Sequence, residues 1–339
     1  MTLEILWYLV IGFAVIFYVI LDGFDLGVGL LHLFVKKDEE RRVFLNAIGP
    51  VWDGNEVWLV IVGGALFAGF PNVYATLFSA FYNSCMILLC GLIFRAVAIE
   101  FRSKEPSMKW RFFWDKVFAV ASLIIALGIG FVLGNLVQGI DLDENGNFVG
   151  QFGDFFRPYS ILIGIMTVAL LMMHGSIFLA MKTEAELHQK VRRMINPCIT
   201  FFLACYATTT IATLLFIPHM TLRLKQYPEL LLIALVALGA ILAVPPLVAR
   251  KKDMQAFASS SLAIALLFIL FGIGTYPVLV RSTIQPEQHS LTIFNSSSSQ
   301  LTLKVLLIIV AIGIPLVLAY GFLVYRIFRG KVKIEPTSY

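Results

Sequence analysis

Gly49-Pro50-Val51-Trp52-Asp53-Gly54-Asn55-Glu56-Val57-Trp58-Leu59 is the stretch on which the reading of this chain turns. It sets two carboxylates, an amide and two indoles at the mouth of an apolar segment that continues from Val60 to Phe70. A charged side chain inside a bilayer is costly unless it faces protein or water, so each one marks a functional position. The same problem recurs upstream, where Asp22 and Asp25 interrupt the first long apolar run.

The bilayer follows from composition. Of 339 residues, 59% are hydrophobic and 14% charged, whereas a soluble domain carries about 25% charged residues. Mean hydropathy is +0.87, and apolar runs of about 20 residues, enough to cross a hydrocarbon core, recur along the chain. The first run lacks a positive leader region and a small-residue cleavage site, so a retained span is expected. The net charge of +5 sits in loops, where it reports topology and not nucleic-acid binding. Cys85, Cys90, Cys198 and Cys205 lie inside spans without a CxxC pair, which predicts packing residues and no metal site.

Backbone groups in a bilayer must be satisfied internally, so the spans are helices. Nine are expected, at about 5–34, 51–70, 75–100, 117–138, 160–181, 196–216, 229–249, 257–280 and 304–327. The result is an all-α polytopic membrane protein, a single integral domain over 1–339. Two four-helix groups (1–140 and 155–280) plus an extra helix (304–327) would account for the count. Alternate loops at 36–42, 102–116, 182–193, 250–252 and 326–333 hold 20 of the 26 Lys and Arg residues. By the positive-inside rule those loops are cytoplasmic, with the N-terminus outside and the C-terminus inside. A re-entrant 51–70 would leave eight spans and misplace the basic loop 36–42.

That topology gives the buried charges a common depth. Asp22 and Asp25, three apart, project from one helical face; Asp53 and Glu56 share that spacing at the start of the second span. Arg95 and, just beyond it, Glu100 lie on the third. The acids around one guanidinium cannot all ionise cheaply in a low dielectric. Three readings fit: a proton path, an ion pair that locks three helices, or a bound cation. Gly23 and Gly27 form a GxxxG pattern suited to close helix packing. Trp52 and Trp58 could line a cofactor or anchor the second span. Of five histidines only His174 lies well inside a span. A bundle haem needs axial ligands at matched depth, so haem held by this chain alone is disfavoured.

Leu21-Asp22-Gly23-Phe24-Asp25-Leu26-Gly27-Val28-Gly29, Glu40-Arg41-Arg42 and the Gly49–Leu59 stretch together resemble subunit II of cytochrome bd-type quinol oxidases. The likeness continues through Gly63–Ala68, Phe94-Arg95, Phe101–Lys104, Gly134–Gly139, Ser298–Leu303 and Tyr325–Lys331, essentially the whole chain. The resemblance implies a heterodimeric respiratory oxidase of the bacterial cytoplasmic membrane that oxidises quinol and reduces O2 to water. It also implies that haem b and haem d reside on the partner, subunit I, which this haem-free chain stabilises. Membrane lipid, small single-helix subunits and a structural quinone are further expected companions. The resemblance implies that Asp53 of the Trp52-Asp53-Gly54-Asn55 motif belongs to a proton path; the acids at matched depth add Asp25 and then Asp22 as expected members, with Glu56 as relay and Arg95 as electrostatic partner. A proton-coupled secondary transporter is the competing reading, since midplane carboxylates and glycine-rich helices are expected there too.

Overall fold

The computed structural model describes residues 2–334. In chain order α1 (Leu3–Leu31) leads through a short turn to α2 (Asp38–Ile48), α3 (Trp52–Gly69), α4 (Pro71–Ala80) and α5 (Tyr82–Phe101). Then come α6 (Met108–Gln138), α7 (Pro158–Lys182), α8 (Ala185–Phe216) and the short α9 (Leu222–Gln226). Finally α10 (Leu231–Ala249), α11 (Asp253–Thr275), α12 (Pro286–His289) and α13 (Gln300–Ile327) complete the bundle. A two-stranded antiparallel ribbon, β1 (Val278–Val280) with β2 (Leu291–Thr292), lies between α11 and α13.

Eight helices are each long and apolar enough to cross a membrane, and the pair α2–α3, bent by 49°, brings the number to nine if counted as one span. Contacts along α1 favour the larger number. Asn55 at the start of α3 meets Asp25, and Gly69 at its end lies against the ring of Trp7. Fourteen residues at 1.5 Å each carry α3 about 21 Å along α1.

Two expected spans need correction. The run 75–100 is not one helix: Pro71 opens α4, and the chain breaks at Phe81 before α5 begins. At ten residues α4 is too short to cross a bilayer, and the Thr76 hydroxyl donates to the Gly146 carbonyl in the loop between α6 and α7 (2.8 Å). The run 257–280 ends at Thr275 because Pro277 has no N–H to continue the helix, and the chain enters β1 instead.

The enclosed centre is α7, where 72% of the most apolar stretch is buried, against 6% for α13 at the periphery. Its contact with α1 depends on two glycines. A Cβ on Gly27 would strike the Leu171 carbonyl oxygen and stand 2.8 Å from the Gly175 Cα. A Cβ on Gly175 would lie 2.6 Å from the Gly27 carbonyl carbon. Backbone thus meets backbone, as small residues permit in membrane helices; the Leu171 side chain fills the space over Gly23. Gly27→Ala should therefore destabilise the chain by about 1–3 kcal/mol through overpacking. Gly12→Ala on the same helix, with open space at its Cβ position, should be neutral or stabilising. Thermal unfolding of the two variants in detergent checks this contrast.

Candidate functional site

Four helices bring polar side chains to one point in the bundle. Asp22 and Asp25 of α1 and Arg95 of α5 are all fully buried. The Arg95 guanidinium forks onto Asp22, with Nη1 donating to Oδ2 at 2.9 Å and Nη2 to Oδ1. Such a bidentate pair fixes geometry as well as charge. Nη2 also lies 3.5 Å from Glu56 Oε2 of α3. Beside this pair, Asn55 Nδ2 donates to Asp25 Oδ2 at 2.7 Å and to the Leu21 carbonyl at 3.3 Å. The Tyr325 hydroxyl of α13 donates to Asn55 Oδ1 at 2.7 Å. Carboxylate and phenol thus fix the Asn55 amide from both sides. Asp25 Oδ1 and the buried Tyr18 hydroxyl have no hydrogen-bond partner among the described residues.

The rotation of α3 decides which of its acids join. Asn55, Trp52 and Trp58 face inward, and Trp58 packs on Phe17 at 4.7 Å between ring centroids. At 100° per residue, Glu56 stands about 100° from Asn55 and Asp53 about 160°. Glu56 therefore reaches Arg95 from the flank, its side chain 22% exposed, whereas Asp53 and Gly54 point out of the bundle and are exposed. Asp53 does not meet the buried acids, contrary to the convergence expected from depth alone. Glu100, half-buried, lies five residues past Arg95 on α5, about 7.5 Å along the axis.

A second buried network was not anticipated. His32 Nε2 and Asp115 Oδ1 are 2.6 Å apart. Arg102 Nε donates to the same oxygen (2.5 Å), and Arg41 Nη1 donates to Oδ2 (3.0 Å). Arg102 and Arg111 both also donate to Asp38, at 2.6 and 2.8 Å. These contacts tie the end of α1 to α2, α5 and α6. In sequence Arg41, Arg102 and Arg111 read as loop charges for topology, which hid their pairing.

His174, the histidine well inside a span, does not fit axial ligation of a haem. His174 is fully buried, but Nδ1 is 2.8 Å from Ser260 Oγ and Nε2 is 3.1 Å from the Ile20 carbonyl oxygen. Phe257 stacks on its ring at 4.6 Å, so ligation would break a hydrogen bond and displace a ring. Among the described residues no group of three or more His, Cys, Asp or Glu could hold a metal ion.

Removing one partner of a buried ion pair strands the other charge, at a cost of about 3–5 kcal/mol. Arg95→Leu should lower stability on that scale, and Arg95→Leu with Asp22→Asn should recover much of the loss. Denaturant titration of the purified protein, single variant against double, measures the difference.

Comparison with known proteins agrees with this architecture. Residues 3–328 match the family described as cytochrome bd terminal oxidase subunit II. The chain is 32% identical to cytochrome bd-I ubiquinol oxidase subunit 2 of Escherichia coli (strain K12), covering 98% of this chain and 96% of the relative. It is 33% identical to cytochrome bd ubiquinol oxidase subunit 2 of Bacillus subtilis (strain 168), over 100% and 99% of the two chains. A solved bd oxidase structure from Geobacillus thermodenitrificans shares the fold, with a TM-score of 0.78 and 18% identity over 97% of this chain and 99% of that one. Full-length similarity of this order settles the family: the chain belongs to the cytochrome bd terminal oxidase subunit II family.

Proposed function

We propose that this chain is the haem-free membrane subunit of a terminal quinol oxidase, which oxidises quinol and reduces O2 to water on a haem-bearing partner in the bacterial cytoplasmic membrane. The subunit 2 relatives support the assembly, and their agreement over the full length displaces the transporter reading. The engaged His174 supports placing haem b and haem d on the partner. The crowding of Lys and Arg at one end of the bundle supports a cytoplasmic location for that end, with the N-terminus outside. Quinol as the complex's substrate, bound lipid, a structural quinone and small accessory subunits belong to the same reading.

Within that assembly the buried cluster would serve proton uptake. The observation that carries this reading is the imbalance at Arg95: Asp22 and Glu56 both contact its single guanidinium, and Asp25 beside them makes no ion pair among the described residues. Asp22 is committed to the fork. Asp25 keeps one oxygen, Oδ1, available to take up a proton, while Asn55 and Tyr325 hold its other oxygen and the local geometry in place. Glu56, between the buried pair and the exposed face of α3, is positioned to pass protons inward, and Asp53 on that face would gather them at the subunit surface.

Asp25→Asn should slow quinol-driven O2 uptake by about tenfold or more, equivalent to about 1.4 kcal/mol in the barrier. Asp53→Asn should slow it less, and both variants should keep the haem b and haem d bands in a reduced-minus-oxidised spectrum. Parallel loss of bands and turnover would assign these carboxylates to assembly. The wild-type chain expressed without its partner should be colourless.

A further inference from the structure

At the end of the bundle that carries the basic loops, α1, α7 and α8 line an open-sided cleft of about 730 Å³, within the range of about 300–1,000 Å³ typical of ligand sites. Its walls are apolar: Leu31, Phe34, Met172, Met194, Pro197 and Phe201. Its mouth is basic, formed by Lys36, Lys37, Lys190 and Arg193, with Glu40 as the one acid in the lining. Lys190 is already answered by Glu40 (2.5 Å) and Glu186 (3.0 Å), and Lys37 lies 3.8 Å from Glu186. Lys36 and Arg193 make no ion pair with any described residue, so the mouth keeps excess positive charge.

The two chemistries are arranged in depth. Lys190, Met194, Pro197 and Phe201 lie along one stripe of α8, and eleven residues of helix set the basic mouth and the partly exposed Phe201 at the apolar end about 16 Å apart. A free anion would use only the mouth, and a neutral apolar molecule only the walls. An amphiphile with an anionic head and long acyl chains uses both, and basic pockets between helices at a membrane surface have that preference.

We propose that this cleft binds an anionic phospholipid, its phosphate at Lys36 and Arg193 and an acyl chain running between Met172 and Phe201. The site requires only that the chain sits in a bilayer and does not depend on the oxidase reading.

The test uses the intact purified complex, stripped of lipid in detergent and titrated with phosphatidylglycerol or with phosphatidylcholine of the same acyl chains. Native mass spectrometry counts the lipid retained. Wild type should prefer the anionic lipid, and Lys36→Gln with Arg193→Gln should lower its retention by about tenfold or more with phosphatidylcholine unaffected. Met194→Trp, which fills the cleft, should lower retention of both lipids. An unchanged preference in the double variant would overturn the proposal. So would full displacement of the lipid by inorganic phosphate, which would reduce the mouth to a free-anion site, or recovery of a neutral quinone as the native occupant.

Discussion

An ionised side chain in the interior of a membrane bundle has no water to answer it, so its partner has to come from another helix. The fork between Arg95 and Asp22 meets this demand, and much of the structure follows from it. It fixes α5 against α1 in depth and rotation. With α1 placed, Asp25 draws in Asn55 and thereby α3, and Asn55 in turn takes the phenol of Tyr325 from α13. Helices from both ends of the chain are thus registered on a single pair of charges. The Gly27–Gly175 approach supplies the complementary constraint by letting α7 close on the opposite side of α1.

The two polar networks differ in stoichiometry. At the basic end, Asp38 and Asp115 are served by Arg41, Arg102, Arg111 and His32, so every carboxylate has more than one donor. Such saturation locks an interhelical corner and leaves little for chemistry. Inside the bundle Asp22 and Glu56 share Arg95, Glu56 through a 3.5 Å contact at a partly exposed flank, and Asp25 is answered by Asn55 instead. An undersupplied cluster can change its proton content without coming apart, and that contrast separates the candidate site from the structural corner.

Much of this was legible in the sequence, because burying charge in an apolar run is conspicuous. Asp22, Asp25, Glu56 and Arg95 stand out against their neighbours, and matched depth placed them near one another, although it placed Asp53 there as well. Rotation was harder to read. That α3 turns Asn55 and its two tryptophans inward, and so sends Asp53 to the outside, depends on packing against Phe17 and Asp25. Spacing within α3 does not encode it. Tyr325 was invisible for a different reason: a tyrosine near a helix end reads as an interfacial anchor, and its partner Asn55 is 270 residues away. The break at Phe81 was hidden because the residues on both sides are apolar enough to continue a span.

The attachment of α13 has a mechanical consequence. This helix is largely uncovered, yet it is pinned near both ends, by Trp7 Nε1 donating to the Leu303 carbonyl (3.0 Å) and by Tyr325 on Asn55. The pins are 22 residues apart, about 33 Å, and Pro315, which leaves the Ala311 carbonyl without its helical donor, sits close to midway between them. A rod clamped at its ends and weakened at its centre bows before it tilts. Lateral stress from a thinner or thicker bilayer would be absorbed as curvature near Pro315, leaving the Asn55 end in register with the charges it helps to hold.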